Sequence, residues 1–400
     1  MASEIYGLRR LREPEFQRLL LILIAIILVA FRLIQFVAFT SQVQWGYDFS
    51  YYWTAASHLL HGEPIYSAQQ LSGPYVPQGQ NGFLYPPPFA AVMTPYPIAF
   101  PDGYRSAMWL WAANGAAILA AGTWAVARSI GLFERVRAAT GLGPWILFAA
   151  VFGFPPVVGE LVLGNVHILL FGLLAFAWLG IRRGDRKGEM WAGLAVGIAA
   201  MIKIFPALLI LWFLFTGRHR AATWAVIGGL AAIVVTLPIT GIQPWFDFPV
   251  ALMNLSSSSD TRDTLAPTIW LTSVMDFGTA RLVVTAIALV ILAWTARRLS
   301  TRRSFVVAVL LSVLIAPALY HHYLAILVLP FLLLLPEAGA LPWLALAYLL
   351  MSGGEQAALG DLSWIVNRGL PTAGALILLG VPMFLRRPAI ERDQRVPEAG

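Results

Sequence analysis

The chain has 400 residues, of which 59% are hydrophobic and only 12% charged, with 27 Lys and Arg against 20 Asp and Glu. A soluble domain of this size cannot hide that much apolar surface, and several windows are long enough to cross a bilayer's hydrocarbon, so the composition excludes a soluble protein and predicts an all-α polytopic membrane protein. The sequence has no Cys, which excludes disulfides and thiolate chemistry, and its net charge of +7 comes from basic residues beside apolar runs, where they orient helices rather than bind nucleic acid.

The first apolar run, LLLILIAIILVAFRLIQFVAF (19–39), is too long for a signal peptide and has no small-residue cleavage site after it, so it is read as a retained first helix leading out. Residues 41–105 form a first outer loop, because no Lys or Arg occurs between 33 and 104. Inside that loop the stretch 85–101 is apolar, but five prolines in its first thirteen residues argue against a regular span. It is expected as an interfacial or re-entrant element. The chain then returns over 106–127. Residues 144–158 pair with 165–181, and 191–203 with 204–216. Residues 221–237 lead out to a second outer loop, 239–280, and 281–296 return. Residues 304–319 pair with 323–335, 341–352 lead out, and 371–385 return. Basic clusters at 9–18, 128–137, 182–187, 218–220, 297–303 and 386–395 border these runs, and the positive-inside rule puts all of them in the cytoplasm. The expectation is one integral domain over 1–400 with about 12 crossings and both termini inside. The arms within 191–216 and 323–352 are shorter than the roughly 20 residues of a full span, so half-helices or turns lined by protein or water are expected there.

In this threading the ionisable residues outside the basic clusters collect on the outer side. Asp48 follows the first helix among aromatics, Glu160 lies between two arms, Lys203 sits at the apex between MI and IFPALLIL, and His321 and His322 sit at the apex of IAPALYHHYLAIL. An ionisable group near apolar depth costs several kcal/mol unless it is paired or hydrated, so the reading is a shared wet cavity open to the outer leaflet. Each residue also has a plainer reading. Asp48 has the look of an N-cap for DFSYYWTAASHLL, and Lys203 of a snorkelling headgroup contact. The His pair reads as interfacial, Glu160 as a turn marker, and Arg262 as the partner of Asp260 and Asp263. The gathering of all of them on one side favours a site.

GYDFSYYWTAASHLLHGEPIY (46–66), followed by FLYPPPFAAVMTPYPIAFP (83–101), resembles the first outer loop of glycosyltransferase family 87. AAMIKIFPALLILWFLFTGRHRAA (199–222) resembles that family's Lys-x-x-Pro hairpin with its basic turn. APALYHHYLAILVLP (316–330) resembles its Pro-x-x-Trp-x-His segment, with Tyr320 in place of Trp, His322 on the family His and His321 extra. LGNVHILL (163–170) stands where the family has Gly-Gln-x-Asn, so Asn165 and His167 replace amides. The resemblance implies a GT-C fold and a polyprenyl-phosphate-mannose-dependent α-1,2-mannosyltransferase type of activity. It also implies a lipid-phosphate sugar donor, a lipid or glycan acceptor, and a site on the outer face of a bacterial cytoplasmic membrane, among membrane lipids.

That chemistry asks for little. The departing phosphate is a stable anion and needs no proton, so one carboxylate suffices to take the acceptor's proton, and a single displacement inverts the anomeric carbon, unlike the two-carboxylate pattern of glycoside hydrolases. Asp48 is the expected base, and a hydrated Asp there would stay ionised near its ordinary pKa of about 3.9. Lys203 and His322, then His321 and Arg262, are the expected phosphate contacts. Tyr51, Tyr52 and Tyr85, with Glu160, Asn165 and His167, are the expected substrate contacts. No cofactor and no obligatory metal is expected, since the first loop lacks carboxylates at metal-ligand spacing, although Asp260 and Asp263 leave a small opening. A transporter or lipid flippase is the competing class, because it too wants deep charges and broken helices.

Overall fold

The computed structural model describes residues 13–73, 82–257, 264–316, 318–353 and 365–385; Arg262, Asp260 and Asp263 lie outside them. All regular secondary structure among the described residues is helical. Helix α1 (Pro14–Phe39) starts on a proline, whose missing N–H is no loss in a first turn. Its apolar side chains point outward: Leu19, Ile27 and Ile34 are all more than half exposed. That is the surface of a helix bathed in hydrocarbon rather than water. Helix α2 (Tyr47–His61) and the short α3 (Ala68–Ser72) follow. The proline-rich stretch forms two brief helices, α4 (Pro87–Met93) and α5 (Pro95–Ala99), each with Pro in its first turn and neither near spanning length.

Helices α6 (Tyr104–Ser129) and α7 (Leu132–Thr140) lead to α8 (Trp145–Phe152) and α9 (Pro155–Leu163), which meet at a bend of 62° just ahead of two prolines. Helices α10 (His167–Arg183), α11 (Arg186–Ile202), α12 (Leu208–Phe215), α13 (His219–Thr240) and α14 (Gln243–Ser257) come next, with a 3₁₀ turn at Phe205–Ala207 between α11 and α12. The last third holds α15 (Thr268–Leu271), α16 (Phe277–Arg298) and α17 (Thr301–Leu314). A 3₁₀ run, His321–Leu327, then enters α18 (Val328–Leu334), followed by α19 (Leu341–Met351) and α20 (Leu370–Phe384).

Five of the described helical stretches are long and apolar enough to cross a membrane, six if α8 and α9 count as one bent span. The segments 205–215, 321–334 and 341–351 are shorter apolar helices, as the half-length arms of the sequence suggest. Small residues bring α10, α11 and α13 together. A Cβ on Gly197 would stand 2.1 Å from the Ala225 carbonyl oxygen, so only glycine lets those backbones touch. At the other end of the bundle from the polar cluster described below, the buried Glu337 carboxylate takes Arg303 Nη2 at 2.6 Å and also Arg302, while Arg303 Nη1 donates to the Leu385 carbonyl at 2.9 Å. This joins α17 to the end of α18 and to α20.

Candidate active site

Three chain breaks build the site, each at a place where a helix cannot continue. Helix α9 ends at Gly164, whose φ of +73° suits glycine and whose absent side chain leaves room for Met108 and Phe49, 2.6 and 2.7 Å from where a Cβ would be. The next three residues, Asn165 to His167, turn the chain into α10. Helix α11 stops at Ile202, and Lys203 follows in extended conformation. The 3₁₀ run at 321–327 presents His322 and Tyr323. Helix α2 is fastened to this group at its root, where the Gly46 amide donates to the Val162 carbonyl at 2.8 Å.

Asp48 lies in the first turn of α2. The N-cap position belongs to Gly46, and no side chain caps the helix. The carboxylate instead turns inward. Asn165 Nδ2 donates to Asp48 Oδ2 at 2.8 Å, and His322 Nε2 stands 3.5 Å from the same oxygen. The Asn165 carbonyl oxygen accepts from the Val166 amide at 2.7 Å and from the Tyr85 hydroxyl at 3.2 Å, and Tyr85 and Tyr52 share a hydrogen bond of 2.7 Å. Asp48 is not the hydrated carboxylate expected. Its side chain is only 18% exposed, and burial pushes its pKa up to about 6 against the Asn165 hydrogen bond and the Lys203 charge, which pull it down.

A second polar string lies beneath. Glu160 on α9 accepts from the backbone amides of His167 and, at 3.4 Å, Ile168, so a carboxylate closes the N-terminus of α10. Its other oxygen is 3.2 Å from His167 Nδ1, and Lys203 Nζ is 3.1 Å from His167 Nε2. The Lys203 ammonium also lies 3.7 Å from the centre of the Tyr323 ring and 5.3 Å from that of Tyr85.

The structure therefore brings Asp48, Tyr52, Tyr85, Glu160, Asn165, His167, Lys203 and His322 into one cluster. It separates His321, whose Nε2 reaches the Met351 carbonyl at 2.8 Å. Tyr51 lies outside the cluster too, packing edge-on against Tyr47 and over Gly82. Tyr52 and Tyr85 are buried rings whose hydroxyls support Asn165, and Glu160 and His167 are buried as well. Tyr320, standing where the resemblance has Trp, stacks parallel to the His322 ring at 6.0 Å. Tyr323 was missed by the reading of the sequence; an aromatic directly after the His pair was the available signal.

Glu160, His167 and His322 bring ligand atoms within 4.8 Å of one another, close enough to share a cation. Yet both nitrogens of His167 already have partners, Glu160 at one and the Lys203 ammonium at the other. Beside the cluster lies an apolar cavity of about 350 Å³, lined by Phe89, Met93, Trp111, Ile118 and Leu161 and reaching Asn165 and Glu160.

A profile of glycosyltransferase family 87 matches residues 83–319, more than half of the chain. The protein belongs to glycosyltransferase family 87. Among curated proteins the chain has no match. Membership of this glycosyltransferase family sets aside the transporter and flippase alternative. The matched region holds Tyr85, Glu160, Asn165, His167 and Lys203, whereas Asp48 and His322 lie outside it. In this family-87 protein it is the fold that joins those two to the matched residues, through Asn165.

Proposed function

We propose that the protein moves a sugar, mannose by the resemblance, from a polyprenyl-phosphate donor to a lipid-linked or glycan acceptor at the outer face of the cytoplasmic membrane, in a bacterial cell. The chain would make about 12 crossings, full and half-length together, with both termini inside. Asp48 takes the proton of the acceptor hydroxyl as that oxygen bonds to the anomeric carbon. The bond from that carbon to the phosphate oxygen breaks on the opposite side, and the polyprenyl phosphate leaves with the electron pair. Lys203 and His322 face the charge gathering on the leaving group. No cofactor enters this scheme, and Lys203 supplies the cation.

The observation that carries the reading is the meeting of Asp48, His322 and Asn165, with Asn165 Nδ2 reaching both other side chains. A carboxylate with a raised pKa, beside an imidazole whose Nε2 accepts from Asn165 and near an ammonium, suits the taking of a proton and the holding of a phosphate. The apolar cavity next to it suits a substrate whose polar head is tied to a long hydrocarbon. The test is transfer by the purified protein in nanodiscs, using a labelled polyprenyl-phosphate sugar and a membrane acceptor, with release of polyprenyl phosphate followed in parallel. Release with transfer supports the reading. Transfer only from a nucleotide sugar would overturn it.

A further inference from the structure

Glu160 and His167 lie almost wholly out of reach of solvent, with relative exposures of 1% and 0%. Such burial argues against contact with sugar. Their geometry points somewhere else. Lys is only a donor, so His167 Nε2 must accept from Lys203, and the imidazole proton then sits on Nδ1, facing Glu160. The ring has little freedom. It packs against Tyr323, at 3.8 Å, and lies parallel to the Phe205 ring, at 6.1 Å. Glu160 is held in turn by the two backbone amides that open α10. Each link is thus fixed by the one before it, from the helix terminus to the carboxylate, to the imidazole, to the ammonium.

Lys203 needs this. Its stem is long and flexible, and it emerges where α11 has just stopped. Without a fixed acceptor its ammonium would be held only by the faces of the Tyr323 and Tyr85 rings, which are less directional than a hydrogen bond, and a misplacement of about 1 Å can cost on the order of 100-fold in rate.

We infer that Glu160 and His167 are positioning residues: a buried carboxylate–imidazole pair that fixes the Lys203 ammonium where the donor phosphate departs. This rests on the proposed contact between Lys203 and that phosphate. An ammonium has three hydrogens; His167 takes one, which leaves the others for the ligand. His167 is also a position at which this chain departs from the amide expected by resemblance.

The two nitrogens of His167 permit a sharp test. The Gln amide reaches about as far as Nε2, so His167→Gln keeps an acceptor for Lys203 and loses the bond to Glu160. The Asn amide reaches only as far as Nδ1, so His167→Asn keeps the bond to Glu160 and loses Lys203. Full-length variants in nanodiscs are assayed for kcat and KM with a polyprenyl-phosphate sugar, each after its melting temperature has been measured. His167→Gln should lose transfer by only a few-fold, the share that Glu160 contributes by fixing the direction of the acceptor. His167→Asn and His167→Leu should lose about 10- to 100-fold, mainly in kcat. In a Lys203→Ala background His167→Asn should add less than about twofold, since both changes then remove the same interaction.

Equal activity of the Gln and Asn variants, or losses that multiply in the double variant, would overturn the inference while leaving Lys203 as a phosphate contact, provided Lys203→Ala alone is impaired. Near-normal Lys203→Ala would instead remove the phosphate reading itself. Should His167→Leu fail to fold, the Gln and Asn pair still decides, because either amide can be accommodated where the imidazole stood.

Discussion

Asn165 Nδ2 donates to Asp48 Oδ2 at 2.8 Å, across 117 residues of sequence. The amide cannot be turned the other way without loss, because its oxygen already accepts from the Val166 amide and the Tyr85 hydroxyl. Asn165→Asp keeps the shape but puts a second carboxyl against Asp48. Two carboxyls sharing a site hold one proton more tightly. A base acts only when ionised, and Asp48 ionises as pH rises through about 6. The acid limb of kcat/KM should therefore lie near 6 in the natural protein and move upward by about one unit or more in Asn165→Asp. Profiles recorded from pH 5 to 9 check this; an unmoved limb would separate Asn165 from the titrating group.

Lys203→Ala removes the cation nearest the proposed leaving group. Loss of one charged contact to a developing phosphate should cost about 2–4 kcal/mol of transition-state stabilisation, about 30- to 1000-fold in rate. His322→Ala should act in the same direction. With Lys203 in place, treatment with EDTA should leave transfer unchanged. A requirement for an added divalent ion would pass the cation's role to Glu160, His167 and His322.

Much of this cluster was legible in the sequence, for a physical reason. Asp48, Lys203 and His322 stand out because ionisable residues beside apolar runs are expensive and so rarely incidental. The proline-rich stretch was legible as well: prolines break spans, and it folds as the two short helices α4 and α5. What could not be read was pairing. Nothing in a one-dimensional pattern says that Asn165 bonds Asp48, or that the Tyr52 and Tyr85 rings are buried supports. Those follow from how α2, α4, α9 and the 3₁₀ run at 321–327 close on one another. The resemblance ranked His322 ahead of His321, and in the fold it is His322 that turns toward Asp48 while His321 reaches the Met351 carbonyl.

Glu337 went unnoticed for the same reason, because both its arginine partners lie about 35 residues before it. Breaking a buried ion pair leaves an uncompensated charge, and Glu337→Gln should destabilise the fold by about 3–5 kcal/mol. The exposed Glu63, 3.5 Å from His58, is the control, and Glu63→Gln should change stability little. Thermal unfolding in one detergent compares them. Equal melting temperatures would deny Glu337 its structural role.

The orientation of the site can be read without the enzyme assay. A reporter fused after residue 60, or within 247–275, should report the outer side, and one fused within 130–140 or 184–188 the cytoplasm. A cytoplasmic signal from the 41–105 loop would place Asp48 among nucleotide sugars and remove the lipid-phosphate donor from the proposal.

Asp48→Asn is the test closest to the chemistry. Had Asp48 been a helix cap, the change would be nearly silent, since Asn caps about as well as Asp. The structure gives the cap position to Gly46 and turns the Asp48 carboxylate toward Asn165. An Asn at this position still offers an amide oxygen to Asn165, so the contact and the fold should survive. What disappears is the proton acceptor. Transfer should fall at least about 100-fold, the low end for loss of a general base, while expression, melting temperature and donor binding remain near those of the natural protein. The residual activity should also lose the acid limb near pH 6, because the group that produced it no longer titrates. Donor affinity and transfer measured on one preparation separate a failed base from a failed site. A well-folded Asp48→Asn protein that still transfers sugar at the normal rate would end the assignment.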